Sequence, residues 1–335
     1  MRCLVVFAAV VFACSGPSNA LAAAETTVAH SVSAAQMQNA SREASSNGQT
    51  SDLLQRAREF LLEGQFKEAD QNVRKYLAQH SNSAEGHYLL GYILFKEQKA
   101  EASLAEYTEG AKYQDTGPSD LKIVALDYVL LGDYPDADRW LTRSVAADPR
   151  DSESWYYLGR TKYNENRFQE AIQAFEECLR LDPKNTKAQA NLGLALEGLG
   201  HIVQALAAYR KALAMQAEGA AKSAEPFIDL GNLLLQDNQI DDAIENLVKA
   251  REISPEDVRV YEGLGKAYLR LNKFVEAKTE LERAVALAPD SAAAHYMLGQ
   301  AYRKTGATDR AKAEFDRAVE LNKNKSSGGM STMGP

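Results

Sequence analysis

The sequence predicts an all-α solenoid of about eight helix-turn-helix repeats, and three observations carry that prediction. The first is the stretch from Trp155 to Pro183. Trp155, Leu158, Gly159 and Tyr163 share one helical face, residues 164–166 interrupt it, and Phe168, Ala171, Ile172, Phe175, Cys178, Leu179 and Leu181 restart the helical spacing. Asp182-Pro183 closes the unit, because proline cannot continue a helix interior and pushes the residue before it out of helical angles. Neither helix can bury its apolar face alone, so the unit needs copies. The second observation is a pair of small-residue columns. One reads Ala57, Gly91, Ala125, Gly159, Gly193, Gly231, Gly265, Gly299; its partner reads Ala69, Ser103, Ala137, Ala171, Ala205, Ala243, Ala277, Ala311. Small residues recur where two helices pack closely and a larger side chain would force them apart. The third is a turn column: Gly64, Gln98, Gly132, Asn166, Gly200, Asn238, Asn272, Gly306. Glycine and asparagine best tolerate the left-handed conformation that ends a helix.

Trp155, Leu158, Gly159, Ala171, Phe175 and Pro183 resemble the tetratricopeptide repeat pattern, W-x2-L-G-x2-Y…A-x3-F…P. Lys162 departs from it, standing where the pattern has tyrosine, with Tyr163 beside it. Counting in steps of that family's period of about 34 residues places five contiguous units from Thr50, Ala84, Pro118, Ser152 and Thr186, filling residues 50–219. Four extra residues, 220–223, precede three more units from Ala224, Val258 and Ala292, filling 224–325. The resemblance implies a right-handed superhelix.

Taken in order, residues 1–24 read as an export signal: Arg2, an apolar run from Leu4 to Ala13, then small residues at Ala20, Ala22 and Ala24. The run is shorter than the roughly 20 apolar residues a permanent anchor needs. Three readings stay open: a cleaved signal with the mature chain starting near Ala23 or Glu25, an uncleaved membrane anchor, and a lipidated Cys14 after Val11-Phe12-Ala13. Residues 25–49, rich in Ala, Ser, Gln and Asn without apolar period, read as a disordered linker. The first repeat has Arg56 in its leucine slot, as a terminal unit with one wet face would. In the third, Pro118 opens the unit and Pro135 sits where a missing N–H costs least. The fifth closes on Ala217 instead of proline, and the Ala-rich run to Ser223 reads as a longer helix or as a hinge between five repeats and three. Residues 326–335 read as a disordered tail.

Composition narrows the functions. At 335 residues, 45% hydrophobic and 25% charged, the chain is ordinary globular material. A net charge of -8 argues against nucleic acid as the main partner, since phosphate binding needs a basic surface. Cys3 and Cys14 lie in the signal, so Cys178 alone offers neither a disulfide nor a cysteine metal site; it occupies a slot that later repeats fill with alanine. His87 and His295 occupy the slot of Trp155 and read as interface residues. No zinc-protease, Walker or dinucleotide motif and no nucleophile elbow occurs, so the expectation is a protein that is not an enzyme and has no cofactor and no metal.

The resemblance implies binding instead. In this family the first helices line the concave face, and carrying its contact positions over gives Tyr88, Tyr92 and Phe95, then Tyr156, Arg160 and Tyr163, then Lys187, Leu194 and Glu197. Arg259, Glu262, Lys266 and Arg270 follow in the seventh repeat, and Tyr296, Gln300, Arg303 and Lys304 in the eighth. The groove is therefore expected to be aromatic in its first half and basic at its end. Asn191 and Asn232 do not form the carboxylate clamp of chaperone-binding members. The expected function is an exported scaffold, periplasmic or secreted or tethered at a bacterial envelope, that binds a peptide or protein segment. Two alternatives are an assembly subunit of an envelope secretion or pilus machine docking through its C-terminal repeat, and a glycan-binding or enzymatic protein using the aromatic groove.

Overall fold

The structure is a computed structural model, and it describes residues 52–217 and 222–328, with side chains to residue 324. The export signal and linker expected over 1–49 lie outside the described residues, as do part of the 217–223 segment and the tail from 329. Sixteen α-helices follow one another, and no strand occurs among the described residues. They pair as α1 (52–62) with α2 (Phe66–Leu77), α3 (Ala84–Lys96) with α4 (Ala100–Gly110), α5 (Pro118–Leu130) with α6 (Tyr134–Ala147), and α7 (Ser152–Asn164) with α8 (Phe168–Leu181). The later pairs are α9 (Thr186–Gly198) with α10 (Ile202–Ala217), α11 (Glu225–Gln236) with α12 (Ile240–Ile253), α13 (Val258–Arg270) with α14 (Phe274–Leu287), and α15 (Ala292–Lys304) with α16 (Thr308–Gly328). Each helix packs on its hairpin partner and on the next hairpin, giving an all-α solenoid whose core is a row of seams.

The turn column is what makes each hairpin. All eight residues have positive φ, from Asn272 at 58° to Gly306 at 84°, including Gln98 at 60°. The small columns set how close the helices come. A Cβ on Gly159 would lie 2.6 Å from a Phe175 ring carbon, on Gly193 2.6 Å from Tyr209, and on Gly265 2.5 Å from Leu281. Glycine is thus required by the aromatic or leucine that the second helix lays across it. Capping starts many first helices: Ser83, Asp151, Asn185, Asp257 and Ser291 each accept a backbone N–H of the first turn.

The departures from the pattern are compensated across seams. Lys162 is buried, and its ammonium reaches Asp138 of the preceding repeat at 2.7 Å and Glu170 at 3.2 Å. His87 and His295 sit in the seams, each contacting a carbonyl of the preceding connection (Ser81 and Pro289) through Nε2 and a glutamate (Glu106 and Glu314) through Nδ1. Trp155 and Tyr261, in the same slot, donate to the equivalent carbonyls of Pro149 and Pro255. Cys178 is fully buried. At 16 residues, α10 is longer than the 14 of α8, α12 and α14. The last helix runs on to Gly328, three residues into the stretch expected to be a disordered tail, because nothing from Lys323 to Ser327 breaks a helix as the proline of an internal repeat does.

Candidate functional site on the concave face

First helices of successive repeats approach each other, α3 with α5, α7 with α9, α11 with α13 and α13 with α15. No two successive second helices meet to the same extent among the described residues. Elements on the inside of a curved stack are the closer ones, so the first helices form the concave side, and their residues not consumed by packing form the candidate site.

Repeats one to four make the apolar part. Tyr92 and Phe95 lie with ring centroids 6.4 Å apart, and the Lys96 ammonium stands 5.2 Å from the Tyr92 centroid. Leu62 and Leu130, at the ends of α1 and α5, are 89% and 51% exposed. Tyr156 is half-buried against Phe175 at 6.2 Å, with the Arg160 guanidinium 5.9 Å from its ring, and Tyr163 tilts on Phe168 at 5.5 Å. Tyr88 is held differently. Its ring lies on Gly110 and 5.7 Å from Tyr107, and its hydroxyl donates to the Gln114 carbonyl, so it fastens the second hairpin as much as it faces the groove.

The middle is acidic, which sequence reading did not anticipate beyond Glu197. Glu197 accepts from the Tyr209 hydroxyl at 3.0 Å and from Gln236 at 3.2 Å. Asp229, missed entirely, is half-buried and interacts electrostatically with Glu197 and Glu225. Burial pushes its carboxyl up to about 7, with Glu225 adding to the effect and Arg259 opposing it. Tyr163 is likewise pushed up, by burial first and then by Glu197 and Asp229.

At the end expected to be basic, one cation is paired with carboxylates and the others keep their charge. Arg259 grips both Glu225 oxygens, at 2.9 and 2.7 Å, and also Asp257. Arg270 donates to the Leu235 carbonyl at the end of α11. Arg303 and Lys304 stand over Phe315 and Phe274, 5.6 and 5.7 Å from the ring centroids. Lys266 is exposed and, among the described residues, has no ion pair or hydrogen bond. Glu262 accepts from Ser291 at 2.6 Å, and Tyr296 is 53% exposed. The face of the last hairpin holds a concavity of about 660 Å³ lined by the groove residues Tyr296 and Arg303 together with Phe315, Ala318 and Val319.

Nothing in this surface converges on a reacting atom. No three His, Cys, Asp or Glu side chains are grouped to hold a metal among the described residues. What the surface offers is rings and leucines on the first helices of repeats one to four, followed by charged side chains.

Sequence models described as tetratricopeptide repeat match residues 54–120, 152–185, 186–218 and 263–326, and one described as TPR repeat matches 231–272. A human protein, "PEX5-related protein", is 36% identical over 70 residues, 21% of this chain and 11% of its own length. The peroxisomal targeting signal receptor of Komagataella phaffii is 27% identical over 116 residues, 34% of this chain and 20% of its own length. The chain thus spans a fifth or less of these two relatives. Among solved structures, a tetratricopeptide repeat protein from Parabacteroides merdae superposes with a TM-score of 0.59 at 16% identity, over 75% of this chain and 98% of its own. With the repeat matched over more than half of its residues, the chain belongs to the tetratricopeptide repeat family.

Proposed function

We propose that this protein is an exported interaction scaffold that holds an extended peptide or protein segment along its concave face. The observation that supports the reading most is the apolar side chains that the first helices leave at the surface: Leu62 and Leu130 are exposed, and Tyr92 and Phe95 are half-buried. The bound segment places apolar side chains over repeats one to four. Its next residues meet Glu197 and Asp229, where a cationic side chain is favoured, and Lys266 draws acidic residues toward the end.

Peptides selected from a random displayed library on the immobilised full chain supply the probe. Replacing Tyr92, Phe95 and Tyr156 by alanine should raise the dissociation rate of a selected peptide by an amount worth about 2 kcal/mol or more, because buried aromatic anchors dominate such interfaces. Replacing Lys266, Arg303 and Lys304 by glutamine should mainly slow association and flatten its salt dependence. Unchanged binding in the aromatic variant, with helical content intact, overturns the reading. Export is part of the proposal and rests on the sequence of residues 1–24. N-terminal sequencing of the native protein should find a start near Ala23 or Glu25; a lipidated Cys14 means a tether, and an intact Met1 means retention.

A second reading rests on the 660 Å³ concavity of the last hairpin. Tyr296, Phe315 and Val319 occupy the face on which another repeat would sit, so an assembly partner docking there fits the same surface. A polar helix appended after Leu321 would abolish that docking and leave binding at the aromatic first half of the groove unchanged.

A further inference from the structure

Two departures from the repeat pattern meet inside one seam. Ser103 stands in a column otherwise filled by alanine, and Asp127 stands on α5 where the neighbouring repeats carry Ile93 and Thr161. Both are completely buried, and the Ser103 hydroxyl lies 2.6 Å from Asp127 Oδ2. The same hydroxyl lies 2.9 Å from the Gly91 carbonyl, which can only accept. A hydroxyl has one proton. That proton serves one acceptor at a time: given to Asp127 Oδ2, it is the one hydrogen bond the buried carboxyl receives, and given to Gly91, it leaves the short Ser103–Asp127 contact to be bridged by a proton on the carboxyl. Asp127 Oδ1 is buried without a hydrogen-bond partner.

No cation offsets a charge at this place. From α3 come the Gly91 carbonyl and Tyr92, from α4 Ser103 and Tyr107, and from α5 itself Asp120, which interacts with Tyr107. On α6, Arg139 is taken by Asp136, Asp138 by Lys162 and Arg167, and Arg143 lies over Trp140. Among the described residues Asp127 has no ion pair. We propose that Asp127 is a protonation switch, closing the seam between the second and third repeats when neutral and loosening it when ionised.

Burial pushes this carboxyl up to about 7, against the opposing hydrogen bond from Ser103. The sign follows from linkage. An aspartate in the unfolded chain ionises near 3.9, so the contribution of the neutral form is complete below that pH. It is lost as pH rises toward about 7 and changes no further above it. The opening constant of the seam rises by at most about tenfold per pH unit across that window. In a repeat array the effect stays local, because each repeat contacts only its neighbours. Opening separates Tyr92 and Phe95 from the aromatic residues of the fourth repeat. On the groove reading proposed above, on which this consequence alone rests, ligand is held more tightly in mildly acidic surroundings.

Native-state hydrogen exchange of the full chain at pH 5, 6, 7 and 8, corrected for intrinsic exchange rates, tests the switch without a ligand. Opening constants over residues 84–130 should rise severalfold per unit between pH 5 and 7 relative to residues 258–304, and Asp127→Asn should remove most of that rise. Carbon-13 titration of the Asp127 carboxyl in the unsubstituted chain gives the same answer without a variant, with a midpoint near 7. A midpoint near 4, or the same pH dependence in the variant as in the original chain, overturns the proposal. A working switch with no ligand in the groove would leave this inference standing and sink only the functional reading.

Discussion

Gly159→Leu should cost about 3 kcal/mol, the upper end of the range for overpacking a core, and Phe175→Ala about 3–5 kcal/mol. The first clashes with what the second removes. A Cβ at 159 already falls 2.6 Å from the Phe175 ring, which is fully buried and cannot swing out. A leucine there must part α7 from α8 or drive the ring off its rotamer. Removing the ring instead leaves a void beneath Gly159. In the double variant the leucine occupies space that Phe175 vacated, so the combined loss should be smaller than the sum of the two by 1 kcal/mol or more, as residues in direct contact behave. Urea unfolding of the three variants measures this. Strict additivity would mean that the two positions do not face each other and that the repeat register is wrong.

Lys162→Ala should cost about 3 kcal/mol, the low end for breaking a buried ion pair. Its ammonium lies against Asp138 and Glu170 with the side chain 9% exposed, so solvent screens it little. The loss stays at the low end because Arg167 also holds Asp138 at 2.7 Å and Glu170 at 2.6 Å. Replacing Asp138 and Lys162 together should cost less than the two single changes added, because the partner is no longer left buried without its cation. Thermal unfolding of the three variants at low and high salt checks both statements. A loss below 0.5 kcal/mol, or one abolished by salt, would place Lys162 at the surface.

What could be read from the sequence was what repeats. The turn column is legible because a left-handed residue between two helices restricts residue type locally, and all eight positions have positive φ, including the one glutamine. The small columns are legible for the same reason: close helix packing excludes bulk wherever it recurs. Pairings between departures were not legible. Lys162 meets Asp138 and Ser103 meets Asp127 across 24 residues, and each looks like an isolated lapse until the seam is built. One pairing in the groove was hidden for a related reason. Arg259 reads as a free cation until Glu225, 34 residues earlier on the preceding first helix, takes up its guanidinium. Asp229 escaped because an acidic residue on a helix reads as solvated, whereas here the neighbouring helices bury half of it. The aromatic positions come from the family's first-helix register, and only the structure shows Tyr88 tied to Gln114.

The central claim, that the concave face is the binding surface, is tested most directly by photo-crosslinking from single sites on the intact chain. A benzoylphenylalanine replaces Leu130 on a first helix in one variant, Val203 on a second helix in another, and Val319 on the last hairpin in a third; all three positions are more than half exposed. Each variant is irradiated with the same library-selected peptide. The account predicts crosslinking from position 130, with positions 203 and 319 silent. Crosslinking from 203 or 319 while 130 stays silent would contradict it.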